Sequence, residues 1–556
     1  MRLQEITIFI FTFLSVSLIG QNMADYTGGW EGKIQNEDTF NFNVSIENLE
    51  TENAVFKISN NESVIQQSFK MGKEPFIMIS INDHLSFKGN LSKSGKEING
   101  FIKSGLLLYH VKLTRSNKGS FVGTWNILMV DKLRSQNFYL SVENGSSNDY
   151  EAYPIFGDNR FTGTWCADFQ KENDSISFVD FKTGLRFKGK IRPQKIELGL
   201  YLGDVLVMKT DLKKSEDDWK LGGFSTDEEN EHFGNLQLSE MESLILKDSL
   251  PNTHSVIISI KGEIIYEEYF NGYNSKIPHD TRSASKSISS AVVGIAKDQS
   301  LFKNVEQFIF NFLPKHYQPQ KESLKSKIDI KSLLTMSSGL DAIDYGIGAN
   351  PKSTAREDRY QMTKDWTESI VNAPMIHAPN TKANYGSANP YLLGVAIDSM
   401  VTEPLELFIS QNLFEKLGIS NYILQTDLSG RPYFGGGMYL TPIDMIKFGE
   451  LYLNKGRLNG NKVLSENWIE NSFKNYHVLE NTVDKNGYGY LWWHNDYSFK
   501  GTSIKSIEAR GAGGQYIFVL PQLDMVVVIT SGNYVNGKTQ QPELILEDYI
   551  LPHIKN

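Results

Sequence analysis

The sequence predicts a multidomain protein in which an all-β region, a duplicated sandwich or barrel, precedes an α+β domain with an antiparallel sheet flanked by helices. Three observations lead to this prediction. The chain has 556 residues, which is more than a single hydrophobic core accommodates. Its first part alternates apolar and polar residues in short runs, whereas its second part mixes such runs with helical spacing. A polar, acidic stretch separates the two parts.

The overall composition indicates which kinds of binding partner the protein can have. Hydrophobic residues make up 40% of the chain and charged residues 22%, without a long biased tract, which is typical of an ordered globular protein. The net charge of -9 argues against nucleic acid or an anionic membrane as the main partner, because both require a basic surface. We therefore expect a small-molecule or peptide substrate.

Residues 1–20 have the pattern of a signal peptide. Arg2 precedes an apolar run from Ile6 to Ile19, and Gln21 follows a plausible cleavage point. We expect a secreted or periplasmic protein. A membrane anchor remains the alternative, although the run is shorter than the ~20 apolar residues that span a bilayer. Cys166 is the only cysteine, so no intramolecular disulfide is expected.

Residues 21–223 are predicted to form the all-β region, with two similar lobes. Runs such as FNFNVSIENL, PFIMISI and NFYLSVE alternate in the manner of half-buried strands. A weak repeat pairs a Trp motif with a Phe motif, first at Trp30 and Phe87 and then at Trp125 and Phe187. A third Gly-x-Trp element at Trp165 does not fit a two-unit register. Large aromatics at strand ends are more typical of a filled barrel core than of a binding site.

Residues 224–234 are predicted to be a linker, and residues 235–556 the α+β domain. SVIISIKGEIIYEEYF has the pattern of a hairpin turning at Lys261 and Gly262. QYIFVLPQLDMVVVITSG predicts a second hairpin near the C-terminus, followed by a closing helix in ELILEDYILPHI. The sheet is therefore expected to combine strands from both ends of the domain.

The strongest chemical signal is the S-x-x-K pair of Ser283 and Lys286, which opens an apolar helix rich in small residues. Residues three apart lie on one helix face, so the hydroxyl and the amine can meet. A lysine held in a water-poor site can take the proton of a serine and so create a nucleophile. Ser300 and Lys303 match the same motif, but they follow a charged helix end and are expected to lie in a loop.

Two further segments carry candidate site residues. Tyr385 lies in a Tyr-Gly-Ser turn before a predicted helix, where it can pass a proton between nucleophile and leaving group. A glycine run from Gly511 to Gly514 leads into a strand, along which a substrate can lie. The backbone N–H groups of Ser283 and of Gly514 or Gln515 are the predicted oxyanion hole.

Together these segments resemble the β-lactamase-related serine hydrolases, a superfamily that includes class C β-lactamases, D-alanyl-D-alanine carboxypeptidases, esterases and 6-aminohexanoate-dimer hydrolase. The resemblance covers roughly residues 235–554. It extends to IYEEYFNGY, IDIKSLLTMSSGLD, GGGMYLTPIDMIKFGELYLNKGRLNG and YGYLWW. It implies a β-lactamase-like fold and an acyl-enzyme on Ser283, with Lys286 and Tyr385 as the acid-base pair. It implies no cofactor and no metal.

The sequence departs from the pattern of β-lactam enzymes at two places. Tyr385-Gly386-Ser387 replaces Tyr-x-Asn, and the run Gly511 to Gly514 replaces Lys-Thr-Gly, which removes an amide and a cation. Efficient β-lactam hydrolysis is therefore not expected. Possible substrate contacts are Ser387, Arg510, Gly513 and Trp492, where core packing is the alternative for Trp492.

The predicted function is cleavage of a small ester or amide by an exported serine hydrolase. One alternative is a carboxypeptidase acting on D-amino-acid or cell-wall peptides. Another is a binding or sensor protein that is acylated without turnover. The identity of the acyl and leaving groups, the oligomeric state and the role of the all-β region stay open at this level.

Overall fold

The computed structural model describes residues 26–36, 38–72, 75–82, 84–130, 132–145, 150–157, 166–215, 233–319, 323–534 and 536–555. The chain divides into two compact units, one comprising Met1–Leu107 and Val111–Phe224 and the other Leu108–His110 and Ser225–Asn556. The predicted signal peptide, Trp165 and most of the predicted linker lie outside the described residues. Their assignments, and the domain limits drawn from them, stay predictions.

The described part of the N-terminal unit is built from β-strands. They are β1 (Gly28–Lys33), β2 (Asn41–Glu47), β3 (Ala54–Ser59), β4 (Val64–Phe69), β5 (Phe76–Ser80), β6 (Leu85–Leu91), β7 (Glu97–Ser104), β8 (Leu107–Arg115), β9 (Phe121–Asn126), β10 (Asn137–Asn144), β11 (Tyr150–Phe156), β12 (Cys166–Glu172), β13 (Ser175–Asp180), β14 (Arg186–Arg192), β15 (Lys195–Leu202) and β16 (Val205–Lys214).

These strands form two sheets with matching strand orders. The first sheet runs β4-β3-β2-β9-β8-β7-β6-β5, and the second runs β11-β10-β1-β16-β15-β14-β13-β12. When the two strand orders are aligned on the FKG motifs of β6 and β14, β2 corresponds to β10 and β8 corresponds to β16. Seven consecutive strands then correspond, from β3 to β5 in the first sheet and from β11 to β13 in the second, as expected for a duplicated arrangement. The all-β prediction is confirmed.

The two Trp strands are exchanged between the sheets. β1, which carries Trp30, pairs with β10 and β16 of the second sheet. β9, which carries Trp125, pairs with β2 and β8 of the first sheet. Trp30 therefore shares a sheet with Phe187, and Trp125 shares one with Phe87. Each Trp motif joins the sheet whose Phe motif is not its partner in the linear repeat.

The C-terminal unit combines strands with helices. Its strands are β17 (Phe233–Gly234), β18 (Thr253–Ile260), β19 (Glu263–Tyr269), β20 (His279–Asp280), β21 (Tyr422–Gln425), β22 (Met438–Leu440), β23 (Arg457–Leu458), β24 (Asn461–Lys462), β25 (His477–Val478), β26 (Gly487–Gly489), β27 (Trp492–Phe499), β28 (Thr502–Gly511), β29 (Gln515–Leu520) and β30 (Met525–Ser531). Its α-helices are α1 (Ser239–Leu246), α2 (Ser285–Asp298), α3 (Ile330–Leu334), α4 (Glu357–Tyr360), α5 (Trp366–Asn372), α6 (Ala388–Met400), α7 (Leu405–Ile409), α8 (Pro442–Leu453), α9 (Glu466–Ser472) and α10 (Gln541–Leu544).

A nine-stranded sheet with the order β17-β19-β18-β30-β29-β28-β27-β26-β25 forms the centre of this unit. As predicted, it unites strands from both ends of the domain. The hairpin between β18 and β19 turns at Lys261 and Gly262, whose φ angles of 54° and 79° suit a two-residue turn. The hairpin between β29 and β30 turns through Pro521–Leu523.

Helices cover both faces of this sheet. On one face, α1 and the helical segment after Gln541 share a core with the strands, including Met241, Ile245 and Ile545. On the other, α8 approaches so closely that a Cβ on Gly449 would lie 2.4 Å from a methyl of Val526. The predicted α+β class is confirmed. Among the described residues, no helix is long and apolar enough to cross a bilayer.

Candidate active site

The candidate nucleophile lies at a sharp turn before a buried helix. A 3-10 turn, Arg282–Ala284, leads directly into α2. Arg282 has a φ of 50°, a left-handed conformation that costs free energy in a non-glycine residue and is often found at functional sites. Ser283 stays partly exposed, whereas twelve residues of α2 are buried. By contrast, Ser300 of the second S-x-x-K motif lies beyond the end of α2 and is exposed, as the sequence predicts.

Lys286 places its amine between the serine and a backbone carbonyl. Its Nζ donates to Ser283 Oγ at 2.8 Å and to Gly435 O at 2.5 Å. The side chain is almost fully buried, and burial lowers the pKa of Lys286 because an ammonium loses hydration there. The nearby carboxylates of Glu357 and Asp344 oppose this lowering. A buried amine in contact with a hydroxyl is suited to act as a base.

Tyr385 completes the group of three predicted residues. Its hydroxyl lies beside Ser283, and its ring centroid lies 5.1 Å from Lys286 Nζ. Burial raises the pKa of Tyr385, which keeps the phenol protonated and able to donate. The rings of Trp493 and Tyr488 pack against it, with centroids 5.1 and 6.0 Å away. Ser283, Lys286 and Tyr385 therefore meet at one place.

The glycine run lies against the turn that carries Ser283. A Cβ on Gly511 would come within 2.2 Å of Thr281 O and 3.2 Å of Ala284 N, so only glycine allows this approach. Gly514 N–H donates to Gly511 O at 3.2 Å, which occupies this predicted oxyanion donor in the hairpin turn. Gly513 accepts a hydrogen bond from Asn533 N and lies under the ring of Tyr534. Gln515 pairs with Gly511 across the hairpin.

Ser387 and Arg510, two further predicted substrate contacts, are both buried and already have partners within the protein. Ser387 is fully buried, and its N–H donates to Asp344 Oδ2 at 2.7 Å. Arg510 is 8% exposed and forms ion pairs with Glu508 at 2.5 Å and Glu543 at 3.1 Å, so its charge is already matched. It therefore does not replace the missing cation as a free charge.

Trp492 is a correction to the sequence prediction. Its side chain is fully buried, and its ring stacks on Phe448 and Tyr452 of α8, which leaves no surface for a substrate. Its neighbour Trp493 faces Tyr385 instead, because successive residues of a strand point to opposite faces. Core packing, the alternative considered for Trp492, is the role that the structure shows.

Several residues near Lys286 were not predicted from the sequence. Asp344 and Glu357 lie close enough to influence its charge. Tyr433 donates to Glu357 Oε1 at 2.5 Å and contacts Gly435, the carbonyl partner of Lys286. Asn481 accepts a hydrogen bond from Tyr385 N at 2.8 Å. Asp344 lies three residues after the family-like segment IDIKSLLTMSSGLD, which is the one signal that pointed to this region.

Within the described residues, no group of three or more His, Cys, Asp or Glu side chains is placed to hold a metal ion. The groups that the site brings together are a serine hydroxyl, a buried amine and a phenol.

Comparison with known proteins identifies the family. The family model described as Beta-lactamase matches residues 253–548, more than half of the chain. The chain belongs to the beta-lactamase family of serine hydrolases, which confirms the resemblance drawn from its motifs. It is accordingly a hydrolase.

Three relatives illustrate the similarity. A 6-aminohexanoate-dimer hydrolase of Paenarthrobacter ureafaciens is 21% identical over 293 residues, covering 50% of this chain and 71% of the relative. A penicillin binding protein of Bacillus halodurans is 15% identical with a TM-score of 0.43, covering 56% of this chain and 99% of that structure. A D-stereospecific amidohydrolase of a Streptomyces species is 14% identical with a TM-score of 0.42, covering 55% and 95%.

Proposed function

We propose that the protein cleaves a small ester or amide through an acyl-enzyme on Ser283, with Lys286 as the base and Tyr385 as the proton carrier. The observation that carries this proposal is the 2.8 Å contact between Lys286 Nζ and Ser283 Oγ. Burial lowers the pKa of Lys286 and so favours the free amine that a base requires.

The proposed reaction has two steps. In acylation, the Ser283 proton moves to Lys286 Nζ while Oγ bonds to the carbonyl carbon of the substrate. Tyr385 then passes this proton from Lys286 to the leaving group, which departs protonated, since the Tyr385 hydroxyl lies beside Ser283 and its ring lies beside Lys286 Nζ. In deacylation, water attacks the acyl carbon, and the same groups return the proton to Ser283.

The charges around the site favour a substrate without a free carboxylate beside the glycine run. Arg510 precedes this run, but Glu508 and Glu543 already neutralise it. We therefore place esterase and amidase activity ahead of carboxypeptidase activity. A protein that is acylated without turnover is an outcome that the test below distinguishes.

The test is the intact mass of the protein after exposure to a fluorophosphonate, followed by turnover of p-nitrophenyl acetate and a small amide. Wild type should gain one adduct at Ser283, and Ser283→Ala should gain none. Turnover should fall by roughly 10³-fold or more in Ser283→Ala, because the nucleophile is lost. Ser300→Ala is the matched control, since Ser300 belongs to the exposed second S-x-x-K motif.

Each outcome has a distinct meaning. Unchanged turnover in Ser283→Ala would overturn the proposal. An adduct on Ser283 without turnover of any ester or amide would favour the acylated binding protein. Labelling and turnover in both wild type and Ser300→Ala, but not in Ser283→Ala, would support the hydrolase.

We further propose that the protein is exported, on the basis of the signal-peptide pattern in residues 1–20. A mature N-terminus near Gln21 in a secreted or periplasmic fraction would support export. An intact Met1 in the membrane fraction would favour the anchor instead.

A further inference from the structure

We propose that Asp344 is a positioning residue of the reaction, which fixes Tyr385 against Ser283 and, together with Glu357, provides the negative charge that faces Lys286. This inference rests on the proposed function, because it assigns roles relative to Ser283 and its base. It concerns two carboxylates that neither the S-x-x-K motif nor the Tyr-Gly-Ser turn contains.

Asp344 holds the Tyr385 turn from both sides of Gly386. Its N–H donates to Tyr385 O at 3.2 Å, and its Oδ2 accepts from Ser387 N at 2.7 Å. Gly386 itself lies so close to the same loop that a Cβ would come within 1.6 Å of Ala342 O. The turn that carries Tyr385 is thus fixed to the loop of Asp344 by two hydrogen bonds and one close backbone approach. Movement of this loop would displace the phenol from Ser283.

The other oxygen of Asp344 binds the backbone of a second acidic residue, Glu357. Asp344 Oδ1 accepts from Glu357 N at 2.9 Å, at the first residue of α4. Glu357 Oε1 accepts from the Tyr433 hydroxyl at 2.5 Å, and Tyr433 lies against Gly435. Gly435 O in turn accepts from Lys286. A chain of contacts therefore runs from Tyr385 through Asp344 and Glu357 to Lys286. All of its steps are hydrogen bonds except the contact between Tyr433 and Gly435.

The electrostatics of this path agree with the geometry. Glu357 and then Asp344 raise the pKa of Lys286 against the effect of burial. Burial and the neighbouring Glu357 raise the pKa of Asp344 to about 6, whereas Lys286 and the hydrogen bonds from Ser387 lower it. Tyr385 and the hydroxyl of Ser283 also face Lys286, and Tyr360 joins Tyr433 beside Glu357. Negative charge on the pair therefore stabilises the ammonium form of Lys286.

The experiment measures the pH dependence of kcat/KM for p-nitrophenyl acetate and of fluorophosphonate labelling, from about pH 5 to about pH 10. The variants are Asp344→Asn and Glu357→Gln. Their matched controls are Asp341→Asn, a buried carboxylate of the same loop that accepts from Asn350, and Asp358→Asn, an exposed carboxylate of α4 paired with Arg356. Melting temperatures of all variants show that each is folded.

Two results are expected. In Asp344→Asn, one amide hydrogen must face a backbone N–H, so a hydrogen bond is lost and kcat should fall by roughly 10- to 100-fold, with KM changing less. In both Asp344→Asn and Glu357→Gln, the acidic limb should move down by about 1 pH unit. The direction follows because removal of a negative charge lowers the pKa of Lys286, so that its free amine persists to lower pH. The controls should show neither effect.

The two proposals can fail separately. If the acidic limbs of Asp344→Asn and Glu357→Gln match that of wild type while Ser283→Ala is inactive, the positioning role is wrong and the proposed function stands. A fall in kcat of Asp344→Asn that Asp341→Asn reproduces, without movement of the limb, would also reduce Asp344 to a structural residue. If Ser283→Ala remains active, the proposed function is wrong, and so is the role of Asp344 that rests on it. The acidic limb of the pH profile would then belong to a reaction at another nucleophile.

Discussion

The two units of the protein differ in the kind of group that they bury. In the described part of the N-terminal unit, the buried ionisable side chains are Asp180 and the thiol of Cys166. Asp180 accepts hydrogen bonds from Lys182 N and from Thr183, so it stabilises its own turn. The C-terminal unit buries tyrosines such as Tyr385 and many more acidic and basic groups, namely Glu268, His279, Asp280, Lys286, Asp329, Asp341, Glu406, Asp427, Asp444, Glu450, Glu508 and Arg510.

We interpret this difference as a difference in role: the interior of the N-terminal unit serves stability, whereas some buried groups of the C-terminal unit serve the reaction. Burying a charge costs free energy unless a partner compensates for it, so a fold selected only for stability has little reason to accumulate such groups. In the N-terminal unit, aromatic pairs such as Phe56 and Phe87 fill the interior instead. In the C-terminal unit, buried groups distant in sequence contact one another, as Glu450 does when it accepts a hydrogen bond from the Ser259 hydroxyl. The variants below test whether this contrast holds.

The largest expected effect concerns the buried amine of the site. Lys286→Met should lower kcat/KM by roughly 10²- to 10⁴-fold, because the proposed general base is lost. Its melting temperature should change little, because a buried methionine carries no desolvation cost of a polar amine. Ester turnover and calorimetry on the same preparation measure both quantities.

Lys325→Met provides the matched control for this variant. Lys325 Nζ also donates to two carbonyls, Val371 O at 2.5 Å and Ala373 O at 2.7 Å, at the C-terminal end of α5. Burial lowers the pKa of this lysine too. We expect this variant to lose stability and keep its activity. If both lysine variants lost stability and kept their activity, Lys286 would be a structural residue like Lys325, and the proposed contrast between the two lysines would be wrong.

In the N-terminal unit, the expected effect is on stability alone. Phe87 is fully buried, its ring stacks on Phe56 at 5.0 Å, and it packs beneath Gly89 and Gly100. Phe87→Ala should therefore cost about 3–5 kcal/mol of unfolding free energy, through lost burial and an unfilled cavity. Urea unfolding measures this cost, while fluorophosphonate labelling of Ser283 should keep its wild-type rate.

Phe187→Ala tests the same position in the second sheet, where Phe187 stacks on Phe178 at 4.6 Å. Equal costs would match the shared strand order of the two sheets. A cost below about 1 kcal/mol at either position would show that the site refills after truncation, contrary to this prediction.

The fold could be predicted from the sequence where the signal was local. Strand alternation predicted the all-β region, and the turn residues Lys261 and Gly262 predicted a hairpin that the structure contains. The exchange of Trp30 and Trp125 between sheets could not be predicted. Both Trp strands carry the same alternating pattern, so the choice between pairing partners depends on contacts far apart in the chain.

The site follows the same rule. Ser283 lies in the 3-10 turn that leads into α2 and Lys286 lies in its first turn, and their separation of three residues made the contact predictable from spacing. Asp344 and Glu357 reach Lys286 from a loop and a short helix, and isolated carboxylates in such segments carry no distinctive spacing. Trp492 and Trp493 show a further limit, because a single residue of strand register decides which of the two faces Tyr385.

The smallest expected effect concerns the pH dependence of stability in the C-terminal unit. His279 is buried on β20, stacks on Tyr273 and lies 3.5 Å from Thr530 Oγ1 through its Nε2. Burial lowers its pKa to about 3, below the ordinary value of about 6.5 that applies in the unfolded chain. The unfolded state therefore binds this proton first, and the stability present above about pH 6.5 is lost as the pH falls towards 3.

One such proton contributes up to about 1.4 kcal/mol per pH unit, so urea unfolding between about pH 6 and about pH 4 resolves it. His279→Gln should show a shallower loss of stability across this window. The loss should not vanish, because burial also lowers the pKa of His494 to about 4 and that group remains. Parallel curves for wild type and His279→Gln would mean that His279 reaches water in the folded protein. At least one buried ionisable group of the C-terminal unit would then be solvated, and its burial would cost little free energy. The contrast with the N-terminal unit would be weaker by that group.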